Sequence, residues 1–313
     1  MMKKDSKIHI AGHTGLVGGS IARLLKNNGY NNLLLRSHKE LDLEDERAVQ
    51  AFFKKEKPEY VFLSAARVGG IMDNKTRPAE FILSNLKIQN NVIDSAYRLG
   101  VKKLLFMGSS CIYPRLAPQP IKEEYFMTGP LEPTNEAYAV AKIAGISMCQ
   151  SYHKQYGSNF ISVMPTNIYG PGDHFDPERS HVIPALMIKF DKAKKEDAKS
   201  VSLWGTGSAK REFLHCDDLA SASLFLMENY NDPDIVNIGV GNDISIRDLA
   251  EKIKAVVGYK GAIEWDTTKP DGMPRKLLDV SKLNKLGWKD TIDFDGGLKE
   301  MYQWFLKNVA TNK

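Results

Sequence analysis

Tyr138 and Lys142 stand four residues apart in a stretch, 136–156, whose apolar residues recur with helical spacing. Side chains at i and i+4 share one helix face, so an ammonium comes to lie beside a phenol. A protonated Lys142 is expected to lower the phenol pKa from about 10. Tyr138 can then pass a proton to a carbonyl oxygen as a hydride arrives at the carbon. Ser109 lies in Gly108-Ser109-Ser110-Cys111-Ile112-Tyr113, just after an apolar run that reads as a strand. There it can donate a hydrogen bond to a substrate oxygen. Taken singly these signals are common, because serines after strands often only form turns and a Tyr-x-x-x-Lys spacing arises by chance. Their order along the chain gives them weight.

That order begins with Gly12, Gly15 and Gly18, a GxxGxxG loop between the first apolar strand and the first helical stretch. Small residues let the backbone turn tightly, and the amides at a helix N-terminus then face a pyrophosphate. A loop so placed predicts nucleotide binding. The second strand ends in Leu35-Arg36-Ser37-His38-Lys39. Sites for NAD usually carry an acidic residue there to hold the ribose 2′-hydroxyl. A guanidinium instead matches phosphate oxygens, so the sequence favours NADP(H).

Short strands are expected at 7–11, 31–36, 60–66, 103–108 and 160–164. Helical stretches stand between them, among them 47–55, 81–99 and 136–156. This alternation implies βαβ crossovers and a mainly parallel sheet, covered on both faces because its strands are apolar throughout. After Pro165 the rhythm breaks at Pro171, Pro177 and Pro184. Residues 235–239 read as a strand that rejoins the sheet, and 244–257 as a helix with Ser245 as N-cap. The last helix is expected around Tyr302 and Trp304.

The 313 residues suit one α/β unit with a smaller partner domain. No apolar run approaches the roughly 20 residues that cross a bilayer, and the first residues lack the apolar core of a secretory signal. A cytoplasmic protein with no membrane partner is expected. Cys111, Cys149 and Cys216 are odd in number and far apart, which argues against a disulfide framework or a metal site. The net charge of +5 is dispersed, without the basic stripe and stacking aromatics of a nucleic-acid surface. Lys192-Ala193-Lys194-Lys195 reads as a solvated helix face.

Together the glycine loop, Ser109, Tyr138 and Lys142 resemble the extended short-chain dehydrogenases/reductases, over nearly the whole chain. Six blocks narrow the likeness: GSSCIYP at 108–114, LEPTNEAYAVAKIAG at 131–145, MPTNIYGP at 164–171, SHVIPAL at 180–186, REFLHCDD at 211–218 and KPDGMPRKLLDV at 269–280. These resemble the branch that takes GDP-4-keto-6-deoxy-D-mannose, epimerises C3 and C5, and reduces C4 with NADPH.

The resemblance implies a Rossmann-type doubly wound parallel sheet with a smaller, mostly C-terminal α/β substrate-binding domain. Residues 1–165 with 213–243 would form the NADP-binding domain, and 166–212 with 244–313 the substrate-binding domain. It implies a homodimer acting on a GDP-sugar. Ser109, Tyr138 and Lys142 would be catalytic, and Cys111 and His181 would serve as acid and base in epimerisation. Cofactor contacts would come from Gly12, His13, Thr14, Gly15, Leu16, Val17, Gly18, Arg36, His38, Leu41, Met107, Gly108, Ser109, Ser110, Lys142, Pro165, Asn167, Ile168 and His181. The stretch 65–71 resembles a further cofactor contact after the third strand. Lys189, Trp204, Arg211 and Asp271 would hold the substrate. Thr14, His38 and Lys189 stand where better-known members carry arginine. Two other readings compete: another nucleotide-sugar epimerase, dehydratase or reductase of the same family, and a non-catalytic NADP-binding regulator.

Overall fold

A computed structural model of the chain describes residues 2–176, 180–269 and 271–312. Strands β1 (Ile8–Ala11), β2 (Leu33–Leu34), β3 (Tyr60–Leu63), β4 (Lys103–Met107) and β5 (Phe160–Pro165) are followed by β6 (Asn167–Tyr169), β7 (Ser200–Trp204), β8 (Lys210–Arg211) and β9 (Phe213–His215). Next come β10 (Val236–Ile238), β11 (Ile244–Ser245), β12 (Ala262–Asp266) and β13 (Arg275–Lys276). The helices are α1 (Leu16–Asn27), α2 (Glu46–Glu56), α3 (Ile71–Thr76), α4 (Pro78–Arg98), α5 (Glu136–Tyr156), α6 (Val182–Lys195), α7 (Cys216–Asn229), α8 (Ile246–Val257), α9 (Ser281–Leu286) and α10 (Phe294–Asn308).

A six-stranded parallel sheet in the order β10-β5-β4-β3-β1-β2 forms the frame. Side chains alternate along each strand, and both alternations are apolar. Val61, Leu63, Leu104 and Phe106 pack with Phe53, Val92, Ile93 and Ile146 of α2, α4 and α5. Phe62, Leu105, Ile161 and Val163 pack with Ile21, Leu25, Leu219 and Leu226 of α1 and α7. Helices on both faces make the sheet doubly wound. The chain leaves β1 toward β2 on one side and returns to β3 on the other, so the order reverses beside β1. Crevices outside the carboxyl ends of strands at such a reversal bind ligands.

A third core lies apart from the sheet and is built from α6, α8, α10 and their neighbours, with Met187, Phe190, Leu249, Ile253, Leu298 and Met301 at its centre. Small strand pairs border it: β7 with β12, and β8 with β11 and β13. Ser245 caps α8 by accepting from the Asp248 amide, as its sequence position suggests. Lys192, Lys194 and Lys195 are exposed and Ala193 is buried, which is the pattern of a solvated helix face.

The second strand is shorter than the sequence suggests. Only Leu33 and Leu34 pair with β1. The Glu40 carboxylate then takes both the amide and the hydroxyl of Ser37, at 2.8 and 2.7 Å, and turns the chain out of the sheet.

The two lobes meet at Glu212, which is completely buried. Its carboxylate accepts from the amides of Val240 and Gly241 at 2.7 Å each, and from Leu278 at 3.0 Å. Burial raises its pKa, and these bonds oppose the rise. Replacing Glu212 with Ala strands the buried Leu278 amide, at roughly 1–3 kcal/mol, and takes the acceptor from the less buried Val240 and Gly241 amides. The variant should lose about 2–3 kcal/mol of stability, read from the urea midpoint. A loss below about 1 kcal/mol would mean the lobes are not joined through this carboxylate.

Candidate active site

The site opens at the carboxyl end of β1. Gly12 takes φ +89°, and a Cβ there would lie 2.7 Å from the Ala65 amide nitrogen, just past β3. A Cβ on Gly18 would lie 2.2 Å from the Gly12 carbonyl oxygen. Glycine therefore lets the first turn of α1 press against the loop. The N-cap of α1 is Gly15, with no side-chain cap and no acidic residue in the first turn. Its amides and the positive end of its dipole are left for an anion. The Nδ1 atom of His13 is buried without a partner. This loop fits a dinucleotide pyrophosphate. Thr14 and Gly15 are exposed, while Leu16 and Val17 are half-buried.

Past β2, the Arg36 guanidinium lies 3.1 Å from the Glu56 carboxylate and also donates to the Leu35 carbonyl at 2.9 Å. The phosphate-reading cation of the sequence is thus tethered to α2. The His38 side chain is exposed and lies 3.7 Å from Asp42. Leu41 is buried in the core that α2 covers.

At the end of β4, Met107 and Gly108 are buried and Ser109 starts a short turn. The Ser109 oxygen accepts from the Cys111 amide at 3.2 Å, and Ser110 is buried beneath. Helix α5 lies against this turn because of Gly145, where a Cβ would stand 2.4 Å from the Phe106 ring and 2.8 Å from the Gln89 side-chain oxygen. Gln89 also donates to the Ala141 carbonyl at 2.7 Å. So held, α5 aims Lys142 at the Met107 carbonyl, 2.7 Å away, with its ammonium 5.9 Å from the centre of the Tyr138 ring.

The electrostatics differ from the sequence expectation. Burial raises the Tyr138 pKa, the Cys111 charge adds to the rise, and a hydrogen bond with Ser109 opposes it. Burial pulls Lys142 down to about 7. Burial therefore governs the phenol here, and the Lys142 nitrogen is engaged with a backbone carbonyl rather than with Tyr138.

His181 belongs to another element, the N-cap of α6. It is exposed by area, yet the protein crowding its ring lowers its pKa and the charge of His174 adds to this. Pro165 ends β5. Asn167 and Ile168 lie in β6, and the Asn167 amide donates to the Glu212 carbonyl at 2.7 Å.

The residues expected to hold substrate lie in the smaller lobe. Lys189 is exposed on α6. Trp204 ends β7 and is 61% exposed, a flat apolar face left open. Asp271 accepts from the amide and hydroxyl of Thr206, each at 2.7 Å, so its carboxylate is already engaged by the turn that follows β7. Arg211 ends β8, where burial lowers its pKa against the opposing charge of Glu132.

Sequence reasoning missed three neighbours: Glu56 on Arg36, and Asn135 and Lys276 on Cys111. The Asn135 amide donates to the Cys111 sulfur at 3.2 Å, and the Lys276 ammonium lies 3.6 Å from it. Both fall inside quoted blocks, but nothing in their spacing links them to residue 111.

The pattern of the NAD dependent epimerase/dehydratase family matches residues 8–239. GDP-L-fucose synthase 1 of Arabidopsis thaliana is 58% identical over 310 residues, which cover 99% of this chain and 96% of that one. GDP-L-fucose synthase of Escherichia coli (strain K12) is 51% identical over 311 residues, covering 96% and 97%. Among solved structures, a GDP-6-OMe-4-keto-L-xylo-heptose reductase from C. jejuni matches with a TM-score of 0.93 at 41% identity, covering 98% of this chain and 99% of the other. A GDP-L-fucose synthetase from Naegleria fowleri bound to NADP matches with a TM-score of 0.91 at 32% identity, covering 99% and 97%.

Lys142 gives a test that needs no substrate. In the unfolded chain its ammonium holds a proton to about pH 10.4, whereas in the fold it releases it near 7. Between those values the unfolded state binds the extra proton. Stability from this group therefore rises with pH, by up to about 1.4 kcal/mol per pH unit. Wild type minus Lys142→Met should show that rise in urea titrations at about pH 7.5 and 9.5. A flat or falling difference would mean that Lys142 stays protonated in the fold.

Proposed function

This chain belongs to the NAD dependent epimerase/dehydratase family, and we propose that it converts GDP-4-keto-6-deoxy-D-mannose to GDP-L-fucose. The reaction inverts C3 and C5 and then reduces C4 with NADPH. The observation that carries this reading is Cys111 set on the same turn as Ser109, beside Tyr138. A thiol able to move carbon-bound protons thereby adjoins a phenol able to protonate a ketone oxygen. The names of the relatives from Arabidopsis thaliana and Escherichia coli support the same reaction.

The glycine loop, the Arg36 region, Gly108 and Asn167 would hold NADPH, which when bound supplies a hydride to C4. The C4 ketone acidifies the hydrogens on C3 and C5. Cys111 and His181 exchange those protons, one from each side, and burial lowers the pKa of the His181 imidazole. Tyr138 gives its proton to the C4 oxygen, and Ser109 donates a hydrogen bond to that oxygen. Lys142 orients the phenol's surroundings from the Met107 carbonyl. Lys189 and Arg211 bind the diphosphate, Trp204 packs against a flat part of the nucleotide, and Asp271 accepts from hydroxyls. We assign cofactor binding to 1–165 with 213–243 and substrate binding to 166–212 with 244–313. The family likeness further supports a homodimer working in the cytoplasm. No helix among the described residues is long and apolar enough to cross a membrane.

One experiment separates the two chemistries. The chain is incubated in D₂O with GDP-4-keto-6-deoxy-D-mannose, with and without NADPH, and followed by proton NMR. Tyr138→Phe should exchange the C3 and C5 protons yet consume NADPH about 10²–10⁴ times more slowly. Cys111→Ser should bind NADPH but lose exchange, because a hydroxyl is a far weaker acid than a thiol. Wild-type NADPH oxidation without exchange at C3 or C5 would instead identify a simple 4-ketoreductase, the activity in the name of the C. jejuni relative.

A further inference from the structure

Two side chains converge on the Cys111 sulfur from opposite ends of the site. Asn135 is the N-cap of α5, one turn ahead of Tyr138, and its amide nitrogen lies 3.2 Å from the sulfur. Lys276 comes from the smaller lobe at the end of β13, which runs parallel to β8 with Lys276 opposite Arg211. Its ammonium lies 3.6 Å from the sulfur, across 165 residues of sequence. Both side chains are half-buried, as is Cys111, so water screens the pair less than it would at the surface.

A neutral thiol is a weak acceptor and draws no such pair of N–H donors; an anionic sulfur does, most strongly when one donor is charged. The other two cysteines show the contrast. Cys149 is completely buried and burial pushes its thiol up to about 12, while Cys216, though Arg23 lies 3.9 Å from its sulfur, is raised by burial and by the adjacent Asp217 carboxylate. Neither is equipped to act as a base.

We propose that Lys276, helped by Asn135, holds Cys111 as a thiolate, so that Cys111 is the group that removes a proton from the sugar. This rests on the epimerase reading above and names a positioning residue for it. In the step, the thiolate takes the hydrogen as a proton and becomes a thiol. The C–H electron pair moves between the two carbons, and the ketone oxygen takes the negative charge as an enolate. Lys276 keeps its proton throughout. For inversion the carbon takes its new proton on the other face, from His181, and the thiol gives its own proton to solvent, which restores the ion pair. Because Lys276 is registered with Arg211, the strength of the base is tied to the strand that faces the diphosphate.

The test needs no sugar and so stands apart from the identity of the substrate. Alkylation of Cys111 by iodoacetamide is followed by mass spectrometry at neutral pH. In parallel, thiolate absorbance in the ultraviolet is taken as wild type minus Cys111→Ser. Lys276→Met should slow alkylation about tenfold or more and abolish that absorbance difference, since thiolate is the reactive form. NADPH affinity and the circular dichroism spectrum should be unchanged. Lys276→Gln provides the same comparison should the Met variant fold poorly. Alkylation within about twofold of wild type in the folded variant, with the thiolate absorbance intact, would overturn the proposal.

Discussion

The buried Glu212 carboxylate is the joint on which the site is built. It sits between Arg211, which ends β8, and Phe213, a residue of the third core. Its oxygens gather the chain after β10 and the strand after Lys276. Its own carbonyl takes the Asn167 amide and the Thr166 hydroxyl, at 2.7 and 3.2 Å. An acidic side chain in such a place is costly unless every lone pair is used. Backbone amides from two segments offset that cost, and in doing so fix where the smaller lobe lies against the sheet. Breaking any of these bonds would leave the buried carboxylate short of a donor, and losing the one to Leu278 would also strand a buried amide.

A second constraint is how close α5 lies to β4. Proton transfer tolerates little error in distance, and Tyr138 and Lys142 project from a helix that has no bond to the strand except through side chains. Gly145 removes the atom that would hold the helix off Phe106, and Gln89 of α4 ties down the Ala141 carbonyl. The Lys142 bond to Met107 then joins the helix to the residue just before the Gly108-Ser109 turn. The same closeness excludes water, and this desolvation is why phenol and ammonium both resist charge.

Much of this was legible in the sequence because it is local. Apolar strands alternating with amphipathic helices give the doubly wound sheet, the 136–156 helix has the bounds its periodicity implies, and Ser245 announces its own cap. The glycine loop was readable from its position, because it follows the first strand and opens the first helix. What escaped depends on how distant segments dock. Glu212 looks like a surface acid in a charged block, since only the fold shows three amides aimed at it. Glu56 and Arg36 are 20 residues apart and meet only in the fold, and Lys276 reaches Cys111 across 165 residues. Lys103 was read simply as the start of a strand, yet it is buried and its ammonium caps the end of α7 through the Leu226 and Tyr230 carbonyls. Residue type and spacing report periodicity well, but they carry no information about which carbonyl or sulfur waits on another element.

The direction of the pKa shifts links these features to binding. Lys142, His181 and Arg211 are all lowered, and in each the largest cause is burial. Tyr138 is raised for the same reason. A cleft that disfavours charge on its own groups makes counter-charge valuable, because an opposite charge within a few ångströms restores the ionised form. The two ligands we propose, a dinucleotide and a nucleotide diphosphate, are both anionic. Each would favour the protonated form of the cations nearest to it. Ligand binding and protonation therefore help one another by linkage, so charge gathers in the cleft when there is something there to neutralise it.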